Sequence, residues 1–371
     1  MIGWEDVWKV VEAMAPLYAA LMLGYGSVKW WRILRVEQCE AINLLAYYFT
    51  YPMFVFEFTA HADPFTMNYT FMAADAISKV IIVAVLACWA KWCSKGNYCW
   101  SITSFSLTTL TNSLVVGVPF LKAMYGQMGV DLVVQSSVFQ ALVWLTILLF
   151  ILELKHTRDI DLHRPSPTQI DHDLENLPTT DALQKEIINR NTPPPLSLRK
   201  LIKEVSIKIS KNPNSYACML GVTWAFISNR WHFSMPSIVE GSILIMSRAG
   251  TGTAMFSMGE TLTLTFKLIW LFMASQDKVL ACGANLTIFG MALKFIAGPL
   301  AMALASFAVG LHGQVLRVAI IQAALPQSIT SFIFAKEYGL HANVLSTAVI
   351  FGMIVSLPVL IGYYAALEFV H

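Results

Sequence analysis

Asp75 and Lys79 stand one helical turn apart in the run AADAISKVIIVAVLACWA, an apolar setting in which either charge alone would be expensive. At i, i+4 the carboxylate and the ammonium point the same way and can pair. Two readings stay open: an interfacial pair snorkelling to water, or a charge pair behind a binding cavity whose pairing changes as the protein moves. Farther along, TTLTNSLVVGVPFLKAMYG (108–126) carries Asn112, Gly117 and Pro119 inside a stretch long enough to cross a bilayer. Proline removes a donor and glycine loosens the turn, so the pattern predicts a broken helix around Gly117–Pro119. IQAALPQSITSFIFAKEYG (321–339) repeats the feature with Pro326. Two interrupted spans in corresponding halves point to a transporter's binding site, where half-helix N-termini attract anionic groups. Asn112, and Asn214 in KNPNSYA, offer amide donors without burying a charge, which suits a carboxylate that must later leave. The plainer alternatives are a bond to freed backbone for Asn112 and a helix N-terminal role beside Pro213 for Asn214.

The elements that must hold these residues follow from composition. Hydrophobic residues make up 56% of the chain and charged residues 13%, with a mean hydropathy of +0.60. Soluble domains carry about 25% charged residues, so this is an all-α polytopic membrane protein with the lipid bilayer as its first partner. Windows of about 20 apolar residues give ten spans: 7–27, 39–60, 70–92, 101–123, 132–154, 213–229, 235–259, 280–309, 314–335 and 343–367. Lys29, Arg32 and Arg35 follow the first span, and Lys91 and Lys95 the third; turns two, four and eight hold almost no basic residue besides Lys122. That bias puts both termini on the non-cytosolic side and the central loop, 155–208, in the cytosol. The loop is mixed in charge and rich in turn residues, as in HRPSPTQIDHD and NTPPPLS. LSLRKLIKEVSIKIS (196–210) has helical spacing, compatible with a membrane-surface helix or a solvated lead-in to the sixth span.

The halves, 1–154 and 209–371, echo each other. Pro16 precedes Met22-Leu23-Gly24 as Pro213 precedes Met219-Leu220-Gly221, and Tyr125-Gly126 is echoed by Tyr338-Gly339. An odd number of spans per half sets the halves in opposite orientations, as two inverted five-helix repeats with broken crossover helices 4 and 9. Gln322 and Gln327 flank Pro326 and can bond the broken backbone; Lys294 and Arg248 read as residues near helix ends or in interhelical bonds. The six cysteines have no metal spacing. The acidic N-terminal stretch MIGWEDVWKVVEAM is unlike a cleavable signal. No hydrolase, kinase or metal motif is present, so neither an enzyme nor a cofactor is expected, and no basic cluster suggests nucleic acid.

At Asp75 with Lys79, TLTNSLVVGVP (109–119), KNPNSYA, AMFSMG (254–259), QAALPQ (322–327) and FAKEYGLHANVLSTAVIFGM (334–353), the sequence resembles the PIN-FORMED auxin efflux carriers of land plants. The resemblance implies a bile-acid-symporter-like fold, a homodimer, and elevator movement of spans 3–5 and 8–10 against spans 1, 2, 6 and 7. It also implies export of the indole-3-acetate anion from the cytosol. By the same resemblance, substrate would meet Asn112, Leu114, Asn214, Ile329 and Thr330, with Tyr51 and Val55 lining the second span. Pro119 and Pro326 would mark the crossing, and Asp75 and Lys79 the supporting pair. The short loop matches family members of the endoplasmic reticulum, with the plasma membrane the alternative. Departures are Tyr51 and Val55 for smaller or hydroxyl residues, Glu57 for a His, Leu145 for a Tyr, and Thr330-Ser331 for Val-Pro. An apparent insertion, Glu260–Trp270, would add about 16 Å if helical. A non-transporting splice isoform, a membrane auxin binder and a carrier of another organic anion stay open beside the carrier reading.

Overall fold

A computed structural model describes residues 4–92, 97–162, 202–203, 206–207, 211–250, 252–253, 256 and 284–368. The apparent insertion, Glu260–Trp270, lies outside these residues, as do most of the loop 155–208 and of the stretch 196–210. The described chain is helical, with one isolated β-bridge and no strand. It falls into two compact units: Met1–Val143 with Pro213–His371, and Trp144–Asn212.

In the first unit, α1 (Trp4–Lys29) is followed by α2 (Val36–Leu45), which runs through a wide turn, Ala46–Thr50, into α3 (Tyr51–Ala60). Next come α4 (Tyr69–Trp92), α5 (Tyr98–Thr109) and, after a break, the wide turn Ser113–Gly117 and α6 (Val118–Phe139). The second unit holds α7 (Leu145–Leu162), so His156 sits in a helix rather than in the loop expected for it. The first unit resumes with α8 (Pro213–Trp231) and α9 (237–250). Then follow α10 (Ala284–Ala292), the wide turn Leu293–Ala297, α11 (Gly298–Ala308), α12 (Gly313–Ala323), α13 (Ile329–Glu337) and α14 (Ala342–Glu368).

Four described stretches are long and apolar enough to cross a membrane: Tyr69–Trp92, Ser113–His156, Asn285–Ala308 and Ala342–Glu368. Many of their large side chains point outward, among them Val80, Val83, Val85, Ile288, Leu300 and Leu304. Outward-facing apolar residues on helices whose backbone is bonded within each segment are what a hydrocarbon solvent selects.

Packing pairs the helices closely. α3 lies along α8 and α4 along α11. A Cβ on Gly221 of α8 would strike the Thr59 side chain of α3, and one on Gly24 of α1 would strike the backbone of Phe256. The matched glycines of the two Pro-to-Gly echoes are thus both points of close helix approach. The two Tyr-Gly echoes also share a conformation: Gly126 and Gly339 each have φ 62°, left-handed backbone that only glycine adopts at little strain. Gly126 turns the chain inside α6, and Gly339 ends the segment after α13.

Candidate functional site

The first broken helix does not break where its proline stands. α5 ends at Thr109, and Leu110–Asn112 leave the helix, five or more residues before Pro119. Pro119 sits at the start of α6, behind a wide turn in which the Gly117 N–H bonds the Asn112 carbonyl and Val118 bonds Ser113. The widened bonding pattern accommodates a residue without a donor, so the proline widens the helix rather than stopping it. Gly117 serves packing: a Cβ there would lie 2.6 Å from Leu325 Cδ1 and 2.8 Å from Val133 Cγ2. The second break does fall at its proline, between Ala323 and Ile329.

The two breaks cross and cap each other. Asn112 N–H donates to the Pro326 carbonyl at 2.8 Å, and Ser328 N–H donates to the Leu110 carbonyl at 3.2 Å. Thr111 and Gln327 form an antiparallel bridge between those bonds. Each half-helix N-terminus thereby satisfies a carbonyl freed at the other's C-terminal end, which removes orphan groups at membrane depth. Side chains complete the lattice. Gln140 Oε1 accepts from Thr111 N–H at 3.0 Å, and its Nε2 donates to the Thr111 carbonyl at 3.0 Å. Gln322 Nε2 donates to Ser113 Oγ at 2.7 Å and Ser136 Oγ at 3.2 Å. Gln327 Nε2 reaches the Ser106 carbonyl at 2.8 Å and Ser331 Oγ at 2.7 Å. Ser331, one of the polar departures noted in the sequence, is therefore part of the second break's support.

Asp75 and Lys79 are buried and bonded to each other through Oδ2 and Nζ. They face a small cavity of mixed lining, with Ser78, Thr108, Thr109, Ser136 and Gln322 beside Ile82, Met302 and Ala319. The pair is buried rather than exposed on the helix surface. Lys294, which the sequence left as an interhelical or end-of-helix residue, is 1% exposed, and its Nζ donates to the Leu110 carbonyl at 3.2 Å. Arg248 is exposed on α9. Lys294 lies in the wide turn Leu293–Ala297, and Gly298 just after it lets the helix press on α5; a Cβ there would lie 2.8 Å from the Thr108 carbonyl oxygen.

Of the expected contact residues, Val55 and Leu114 are buried in one apolar cluster, with Tyr51 and Ile329 packed against it. Asn112 is buried, and its Nδ2 has no hydrogen-bond partner among the described residues. Thr330 is half-buried in the first turn of α13. Asn214 is half-buried in the first turn of α8, outside the crossover lattice described above. Glu57, the departure on α3, bonds the Ser247 hydroxyl of α9, and so joins two helices away from the breaks. Among the described residues no His, Cys, Asp and Glu group has the makings of a metal site. An orphaned amide donor beside half-helix N-termini, apolar walls, and buried cations nearby form a set suited to a flat organic anion.

Comparison with known proteins bears on the chain as a whole. The family model described as membrane transport protein matches residues 9–364. The chain is 63% identical over 371 residues to auxin efflux carrier component 5 of Arabidopsis thaliana, covering 100% of both chains. It is 56% identical over 376 residues to probable auxin efflux carrier component 5a of Oryza sativa subsp. japonica, again covering 100% of both. It is 35% identical over 378 residues to auxin efflux carrier component 8 of Arabidopsis thaliana, with 99% of this chain and 100% of that one aligned. With transport architecture written into its crossing helices and relatives matched from end to end, the chain belongs to the short-loop PIN-FORMED auxin efflux carrier family of membrane transport proteins.

Proposed function

We propose that this protein carries the indole-3-acetate anion out of the cytosol across a membrane. The single observation that carries the reading is the mutual capping of the two helix breaks beside a buried, unpartnered Asn112 Nδ2. The printed names of the full-length relatives supply the substrate class. In this reading the carboxylate meets Asn112 and the amides that open the turn at Ser113, while the indole ring lies against Leu114, Tyr51, Val55 and Ile329. Thr330 and Asn214 border the path, and Pro119 and Pro326 shape the half-helices. Asp75 and Lys79 brace the cavity behind them.

The ten spans form two inverted five-helix repeats, 1–154 and 209–371, joined by the loop 155–208. The shared glycine approaches and shared positive-φ glycines support that symmetry. Spans 3–5 and 8–10 move as an elevator against spans 1, 2, 6 and 7, in a homodimer of the endoplasmic reticulum membrane with both termini in the lumen. Efflux of radiolabelled indole-3-acetate from cells expressing the chain tests this. Saturable transport that disappears in Asn112→Ala, with the protein still inserted and folded, is the expected result. Transport unchanged in Asn112→Ala rejects the site, and no transport by the native chain rejects the function.

A further inference from the structure

We propose that Lys294 supplies the positive charge by which this site selects an organic anion over its neutral analogue. The inference rests on the carrier reading above for the kind of anion, and on the crossover geometry for everything else. Lys294 is 1% exposed, and its Nζ spends one donor on the Leu110 carbonyl at 3.2 Å. No carboxylate forms an ion pair with it among the described residues; Asp75, on the α4 helix against which the following helix, α11, packs, is already bonded to Lys79. Lys79 and Lys294 are thus two buried amino groups, and only the first is bonded to a carboxylate among the described residues, in a setting where an uncompensated charge is destabilising.

The Leu110 carbonyl, at the negative end of α5, offsets part of that charge and no more. An anion that enters would supply the counter-charge that favours the ammonium form. An entry point with the right chemistry lies two residues away on the same break: Asn112, 7% exposed, has an Nδ2 with nothing to donate to. A carboxylate there would accept from Asn112 and supply the negative charge that the Asp75, Lys79 and Lys294 cluster lacks. A neutral analogue of the same shape would satisfy the amide alone.

The test uses the full chain in lipid nanodiscs, with binding measured for indole-3-acetate and for the uncharged indole-3-acetamide. Lys294→Gln keeps a donor for Leu110 without the charge, and Lys294→Arg keeps the charge. The native chain and Lys294→Arg are expected to prefer the acetate by about tenfold or more, a margin within reach of a single charge in a partly dry site. Lys294→Gln is expected to bind the two ligands about equally, with its affinity for the acetamide retained. Asp75→Asn gives an independent arm should Lys294→Gln not fold: removing the one neighbouring acid should raise the preference for the acetate. An acetate preference intact in Lys294→Gln, or unraised in Asp75→Asn, overturns the proposal. If the native chain binds neither indole, the auxin reading falls. Benzoate against benzamide on the same variants then decides the role of Lys294, and no preference for the carboxylate in the native chain overturns it.

Discussion

Gln140 holds the first break by three bonds to one residue: it accepts from the Thr111 N–H at 3.0 Å and from Thr111 Oγ1 at 3.2 Å, and it donates to the Thr111 carbonyl at 3.0 Å. Gln140→Ala removes all of them. Thr111 is buried, and the bridge to Gln327 does not reach its amide when Gln140 is gone. An unsatisfied buried backbone group costs about 1–3 kcal/mol, so losing partners for both the N–H and the C=O should destabilise the protein by roughly 2–6 kcal/mol. Water entering the vacated space would bring the loss toward the lower end. Gln140→Glu separates the two bonds. An ionised carboxylate still accepts from the N–H but faces the carbonyl without a proton to donate. Its protonated form donates again, so this variant should gain stability as pH falls, while the native chain does not share that dependence. Thermal unfolding of the purified protein in detergent, across pH, reads both effects. Native stability in Gln140→Ala, or a pH-flat Gln140→Glu matching the native chain, would refute the reasoning.

The buried Asp75–Lys79 pair should behave as a unit. Lys79→Met leaves a lone buried carboxylate and should cost about 3–5 kcal/mol. Adding Asp75→Asn should recover part of that, with a coupling energy of roughly 1–3 kcal/mol in a double-mutant cycle of unfolding; additive losses would deny the pairing. Gly298→Ala would set a Cβ 2.8 Å from the Thr108 carbonyl, a backbone atom that cannot swing aside. Overpacking of this kind costs about 1–3 kcal/mol and should pull Lys294 from Leu110. The check is a lowered melting temperature together with loss of the acetate preference in the binding assay.

How much of this was legible in the sequence depends on range. The Asp75–Lys79 pairing was readable because it is local, set by the rise and twist of one helix. Pro326 marked the second break because there the chain does leave the helix at the proline. Pro119 misled for a physical reason: a wide turn ahead of it removed the conflict between helix and missing donor, and the first break moved to Leu110–Asn112. Lys294 was read as a residue near a helix end or in an interhelical bond, and it does bond across helices; its partner, Leu110, lies 184 residues away and no local pattern names it. Ser331 read only as a polar departure from the family pattern, and its bond to Gln327 depends on a rotamer no sequence pattern encodes. Asn214, by contrast, keeps the look of a helix N-terminal residue beside Pro213.

The reciprocity of the breaks constrains any movement the carrier makes. Leu110 depends on Ser328, and Pro326 on Asn112, so sliding one broken helix past the other would expose amides and carbonyls on both at once. In hydrocarbon each such group costs several kcal/mol, and the Gln140, Gln322 and Gln327 side chains tie further elements to the same lattice. Lys294 adds a bond from the helix pair that also packs on α4 and its charge pair. The cheapest motion keeps this set intact and changes contacts elsewhere, along surfaces held by apolar packing and small residues. The approach of Gly221 to Thr59, between α3 and α8, lies inside the spans proposed to stay fixed and need not change. A crossover that is costly to shear favours the proposed whole-body displacement of the site over a gate opening between the half-helices.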